Sequence, residues 1–279
     1  MSLPTLEELP RHAATIPSLP EVVNYLMRTL NDERADIDTL AHHINSDPAI
    51  VGRLLAAANS AASGLSTRVF SAKQAFLVLG ADRVVSIILA SALALRYDMR
   101  GQGFDAHLLW RHSIGVATCA RALAERDGRI NPEIAFTGGL LHDIGQILMH
   151  VASPANYARA LQQHQQEDLP LVDCERAVFG YDHAAAGEAL ARTWQLPPEI
   201  CAAIGAHHAP DDVGSDMAYL VHISEVLSHA LDLGEQESNR VPDLSELACA
   251  ELGLSWPRLA GHFGEIEARY QSFRSALGI

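Results

Sequence analysis

The chain reads as an all-α protein, a multi-helix globule, on three observations. Apolar residues recur at helical spacing wherever a stretch is long enough to show a period, and no alternating run bounded by hairpin turns competes with them. Proline, glycine and capping residues punctuate the chain at intervals of about one helix. With 279 residues, 48% hydrophobic and 19% charged, there is ample apolar material for a core.

Taken in order, Pro20 stands at the start of a helix over 21–30, where its missing amide costs nothing and Val22, Val23, Leu26, Met27 and Leu30 share a face. The stretch 36–44 sets Ile37, Leu40, Ala41 and Ile44 at the same spacing. Asp47-Pro48 is a cap followed by proline, opening a helix over 49–58 with Ile50, Val51, Leu54 and Leu55 inward. After a loop holding Gly64, Ser71-Ala-Lys-Gln74 fits a capping box and Gly80 a stop. Asp82 then opens an apolar helix through Leu95. These five helices make up an N-terminal half, residues 1–104, which Gly101-Gln-Gly103 closes with an irregular connection.

The second half, residues 105–279, begins with a helix over 105–126 that carries His112. Asn131-Pro132 caps the next, which ends at His142-Asp143. Helices over 144–151, 154–163, 171–179 and 182–194 follow, and Leu196-Pro-Pro198 introduces one that ends near His207-His208. A long apolar helix spans 216–233, and two more start at Leu244 and Pro257. No tandem repeat or structureless linker is present, so the halves are expected to pack as one unit.

Four dispersed cysteines, Cys119, Cys174, Cys201 and Cys249, form no Cys-x-x-Cys pair and read as small apolar side chains in a reducing compartment. No secretory leader or membrane-spanning run is visible, and the expectation is a cytoplasmic protein without a membrane partner. The net charge of −14 disfavours nucleic acid, whose phosphates call for clustered Lys and Arg. Residues 1–104 hold 9 Lys+Arg against 10 Asp+Glu, whereas residues 105–279 hold 11 against 24. The excess negative charge is a property of the second half.

That half contains Phe136-Thr-Gly-Gly-Leu-Leu-His-Asp-Ile-Gly145, apolar until it ends in His142-Asp143. Gly138 and Gly139 let such a helix pack deeply, delivering an imidazole and a carboxylate where burial is costly unless something pairs with them. A divalent metal is one such partner, and His112, His183, His207 and His208 could complete its shell. Singly, each histidine has an ordinary structural explanation. His112 lies among Ile114, Val116, Ala117, Ala120 and Leu123 like a core histidine; His183 heads the small residues Ala184 to Gly187; His207-His208 suits a helix end.

The order changes the weights. His, then His-Asp, then His, then His-His on separate helices resembles the HD superfamily of metal-dependent phosphohydrolases, with Phe136 to Gly145 as its central motif. Ile16-Pro-Ser-Leu-Pro20, the run from Leu40 to Pro48, the run from Leu54 to Ser60 and the run from Gln74 to Gly80 are together similar to the HDOD family. His112-Ser113, Phe179-Gly-Tyr-Asp-His183, Trp194-Gln-Leu-Pro197 and Ile204-Gly-Ala-His-His208 extend the resemblance over roughly residues 10 to 235.

The resemblance implies an all-α module of bacterial signal transduction, commonly regarded as lacking hydrolase activity, with a signalling protein or a nucleotide second messenger as its partner. By position it also implies a divalent metal, Fe, Mn, Zn or Ni, at His112, His142, Asp143, His183, His207, His208 and Glu225. The alternative is a metal-dependent phosphohydrolase of a nucleotide or cyclic dinucleotide, with Asp143 catalytic. Against it, Glu225 replaces the usual Asp of the final ligand pair, and Gln146 stands where active HD-GYP members carry a phosphate-contacting Lys. His207-His208 is also followed by Ala-Pro-Asp-Asp instead of a Gly-Tyr-Pro loop.

Overall fold

The computed structural model describes residues 3–9, 48–59, 69–96, 100–101, 103–234 and 241–277; the helices expected over 21–30 and 36–44, and the Gly64 loop, lie outside them. Of the first half, α1 (Pro48–Ala58), α2 (Ala72–Leu79) and α3 (Ala81–Arg96) are present as expected. Ser71 Oγ accepts from the Gln74 amide at 3.2 Å, and Gln74 Oε1 reaches back to the Phe70 amide at 2.8 Å. The reciprocal contact therefore falls one residue before the cap, and Gly80 at φ 81° ends the helix.

The connection at 101–103 is more regular than two glycines suggested. Arg100 and Gly101 pair antiparallel with Asp105 and Phe104, and Gly103 takes φ 82° in the turn. Asp105 then caps α4 (Ala106–Asp127), its Oδ1 accepting from the His107 amide at 2.8 Å.

Helix α4 is the spine, buried on most faces because His112 to Ala124 carry almost no charge. Against it lie α5 (Pro132–Leu141), α11 (Asp216–Ala230) and the C-terminal α14 (Phe263–Leu277). Between α5 and α11 the chain builds α6 (Ile144–Ala152), α7 (Pro154–Glu167), α8 (Leu171–Phe179), α9 (His183–Thr193) and α10 (Pro198–Ala206), then a 3-10 turn over Pro210–Asp212. Helices α12 (Glu246–Glu251) and α13 (Trp256–Ala260) precede α14, so the tail holds three helices where two were expected. The extra break follows Gly261, after which α14 restarts at Phe263.

Two described helices of the first half rest on the second: α3 packs on α5, and α14 touches both α1 and α4. A part-buried ion pair ties this junction. Arg121 of α4 donates to Glu133 Oε2 at 2.6 Å and lies 4.0 Å over the Phe136 ring, while Ser86 of α3 donates to the same carboxylate oxygen. No helix among the described residues is long and apolar enough to cross a membrane.

Candidate metal centre

Five elements deliver the site, and glycines set how closely they meet. The end of α5 brings His142, and Asp143 occupies the bend before α6. A β-carbon on Gly139 would come within 2.9 Å of the Ala117 backbone, so α5 lies directly on α4 and sets His142 beside His112, ring centroids 5.1 Å apart. A β-carbon on Gly145 would fall 1.9 Å from the His183 carbonyl oxygen and 2.6 Å from the Gly187 amide. Helices α6 and α9 are thus in backbone contact, which sets His183 against Asp143. His207 and His208 follow α10, and Glu225 projects from α11.

The residues singled out from the sequence converge. Asp143 Oδ1 lies 3.0 Å from His183 Nε2 and 3.7 Å from His207 Nε2. Its Oδ2 lies 3.4 Å from His142 Nε2 and 3.8 Å from His112 Nε2. His208 Nε2 is 2.9 Å from His183 Nε2, and His208 Nδ1 is 3.8 Å from Glu225 Oε2. One carboxylate faces two groups of imidazoles, one group per oxygen.

Hydrogen bonds on the far side of each ring fix which nitrogen faces inward. His142 Nδ1–H donates to the Gly139 carbonyl, His207 Nδ1–H to the Ile204 carbonyl and His183 Nδ1–H to Glu175 Oε2, each at 2.7 Å. All three Nε2 atoms are left pointing at Asp143. Buried His142 Nε2, His207 Nε2, Asp143 Oδ1 and Glu225 Oε2 have no aligned hydrogen-bond partner. Lone pairs and carboxylate oxygens crowded together out of water repel one another unless a cation lies among them, and imidazole with carboxylate is a donor set for divalent first-row metals.

Without a metal, protons take that role. Burial pushes His183 down, yet the Glu175 and Asp143 carboxylates overcome it and hold the imidazole well above its ordinary value. The same contest, with Asp143 as the main carboxylate, leaves His142 raised. Burial would raise Asp143, but His142 and His183 hold it well below the usual carboxylate range. Burial and the imidazoles nearby push His112, His207 and His208 well down, and burial lifts Glu225 to about 7.

A cavity of about 710 Å³ opens onto the cluster, its lining including His112, Asp143, His183, His208 and Glu225. Phe104, Leu108, Leu109, Leu161 and Leu171 give it an apolar wall, and Asp105, Asp168 and Asp243 stand on it. Among the described residues that line it there is no Lys or Arg. Gln146 lines it too, its Oε1 accepting from the Tyr157 hydroxyl at 3.0 Å.

Three participants were missed in the sequence. Glu175 accepts from both the amide and the ring of His183, at 2.8 and 2.7 Å, across a helix break that hides the relation. His222 donates from Nδ1 to the His207 carbonyl at 2.7 Å, while its Nε2 accepts from the Ser245 amide at 3.1 Å, holding the His207-His208 turn in place. His229 lies beside His112 with ring centroids 5.0 Å apart. Only His229 left a readable signal, four residues after Glu225 on one helix.

The architecture matches solved structures over almost the whole chain. An HDOD domain protein of unknown function from Geobacter sulfurreducens aligns over 96% of this chain and 97% of its own, with TM-score 0.80 and 24% identity. A Shewanella amazonensis protein provisionally named a phosphohydrolase covers the same shares at TM-score 0.76, also 24% identical. Among curated relatives, a Treponema pallidum protein without an assigned function is 25% identical over 194 residues, 69% of this chain and 37% of its own length. Ribonuclease Y of Geobacter sulfurreducens is 28% identical over 152 residues, 53% of this chain and 24% of its own. The chain therefore corresponds to well under half of each of these two relatives. The model of the HDOD domain matches residues 16–210, a span that holds the first-half motifs and six of the seven converging side chains, and the chain belongs to the HDOD family.

Proposed function

We propose that this chain is a regulatory module whose HD-type site holds a divalent metal and captures a small phosphate-bearing signal in the cavity without turning it over. The observation that carries the reading is the convergence of inward-facing Nε2 atoms on Asp143, with Glu225 alongside, at the base of an open cavity. A metal held there would supply Lewis acidity toward a phosphate oxygen. The protein's own residues contribute orientation. Glu175 aims His183, His222 anchors the His207-His208 turn, and the apolar wall displaces water from the body of the ligand.

Absence of turnover is supported by Gln146. At the place where a cation would neutralise a developing phosphate charge, the chain offers an amide already engaged by Tyr157. Asp105, Asp168 and Asp243 on the cavity add to the deficit.

A metal-dependent phosphohydrolase is the second reading, favoured by one observation. Glu225, standing in place of the usual Asp, lies with its carboxylate in ligand range of His142 and His207. RNA, suggested by the relative named ribonuclease Y, carries a phosphate at every nucleotide, more than a metal centre alone can neutralise, and suits the site poorly given the charge of −14 and a described cavity lining without Lys or Arg. The deciding experiment is to measure Fe, Mn, Zn and Ni in protein purified without added metal. A phosphomonoester, a cyclic dinucleotide and a short RNA are then assayed with each metal. Stoichiometric metal with no release of product is expected. Product formation that disappears in Asp143→Ala would establish the hydrolase, and a chain that takes up none of the metals would overturn both readings.

A further inference from the structure

Beyond the ligands that the HD pattern assigns lies His229. It follows Glu225 by four residues on α11, so both side chains project from one face of the helix, one turn apart. Across from them on α4 is His112. One ligand atom from each of His112, Glu225 and His229 lies within 4.8 Å of the others. A cation at the usual distance of about 2.0 to 2.2 Å from each donor needs only a slight closing of that triangle.

The backbone holds the triangle in place. A β-carbon on Gly115 would meet Ser228 Oγ at 2.6 Å and Leu233 Cβ at 2.8 Å, so α4 and α11 touch one residue before His229. After α11 the chain turns back, and a β-carbon on Gly234, at φ 113°, would lie 2.8 Å from the His112 Cα. Both glycines remove the bulk that would otherwise separate His229 from His112. The Glu225 carboxylate is itself buried, and its Oε2 has no hydrogen-bond partner, an acceptor that a cation held by this carboxylate would satisfy.

We infer that His112, Glu225 and His229 form a metal position of their own, on the α4–α11 side of the centre, with His229 as a direct ligand. The other side is Asp143 with His183, His207 and His208, which form a group within the same distance limit. His112, Glu225 and His229 line the cavity, as do Asp143, His183 and His208 of the other group, so an anionic ligand entering it would meet two cations. The inference rests on the metal-binding part of the proposed function and on nothing about turnover.

The test uses cobalt(II) on the metal-stripped chain of 279 residues, read by absorption in the visible range, by bound metal per chain after gel filtration and by chelator competition. His229→Ala and the bulkier His229→Gln are compared with wild type, His112→Ala and Glu225→Gln. Folding is checked by circular dichroism and urea unfolding without metal. The expected result is that both His229 variants lose one bound cobalt, or bind it roughly 10- to 100-fold more weakly, with an altered spectrum, and that His112→Ala and Glu225→Gln do the same. If His229→Ala does not fold, His229→Gln decides. Wild-type content, affinity and spectrum in the His229 variants would overturn this position while leaving the metal reading intact. A loss in the His229 variants that neither His112→Ala nor Glu225→Gln shares would equally overturn the shared position. Wild-type protein that takes up no cobalt would overturn both.

Discussion

At the scale of single residues the centre is governed by which atoms have been left facing one another. Glu175 decides the fate of His183: by accepting the hydrogen bond from Nδ1–H it turns Nε2 inward and raises its basicity. Glu175→Gln keeps the shape and removes the charge, so metal affinity should fall about 10- to 100-fold by chelator competition. Unchanged affinity would show that the pair merely fills space. Proton release on metal binding gives a second measurement. In the metal-free chain His183 and His142 are raised and Glu225 sits at about 7, so below that pH these groups hold protons that a metal must displace. Calorimetry in buffers of different ionisation heat should find release near pH 7 that shrinks as the pH rises and Glu225 loses its proton. Metal affinity should weaken steadily as the pH falls.

At the scale of elements, close backbone contact sets the geometry. Helices α6 and α9 meet at Gly145 and Gly187, and this contact, more than any hydrogen bond, fixes the distance from Asp143 to His183. Gly145→Ala should cost about 3 kcal/mol or more in urea unfolding and weaken metal binding further, because its β-carbon would occupy the His183 carbonyl oxygen. Gly52→Ala is the counterpart. Nothing lies within 4 Å of its β-carbon on helix α1, so the same change there should stabilise by about 0.5 to 1 kcal/mol. Two destabilised proteins would mean that helix contact is not what separates these positions. Helix identity itself was legible, since the caps at Ser71, Asp105, Asn131 and Asp182 are all used as their residue types suggest. Helix ends were less so: α7 runs on to Glu167, where Asp168 takes a left-handed conformation, α11 stops at Ala230 and the tail breaks once more than expected.

At the scale of the whole molecule, ligands arriving from α4, the α5–α6 bend, α9, α10 and α11 make the centre a tie across the second half. A metal that binds only the folded chain should stabilise it by about 2.7 kcal/mol at a hundredfold excess over Kd, a rise in Tm of about 5 to 10 °C in a thermal melt. Absence of any shift with Mn, Fe, Zn or Ni would leave the convergence without a metal. The sequence by itself determined the all-α class, the capped helix starts and the residue types of the site, because capping, periodicity and ligand chemistry are local properties written in short stretches. The spacing of His142-Asp143 against His183, His207-His208 and Glu225 was there as an order along the chain that pointed to the HD superfamily, and the motifs of the first half narrowed it to the HDOD family. Only the tertiary structure decided which nitrogens face inward, that Glu175 and His222 brace the ligands and that His229 stands beside His112. Those relations depend on distances between helices, and glycines such as Gly115, Gly145 and Gly234 set them by leaving out atoms whose absence has no pattern until the helices are packed.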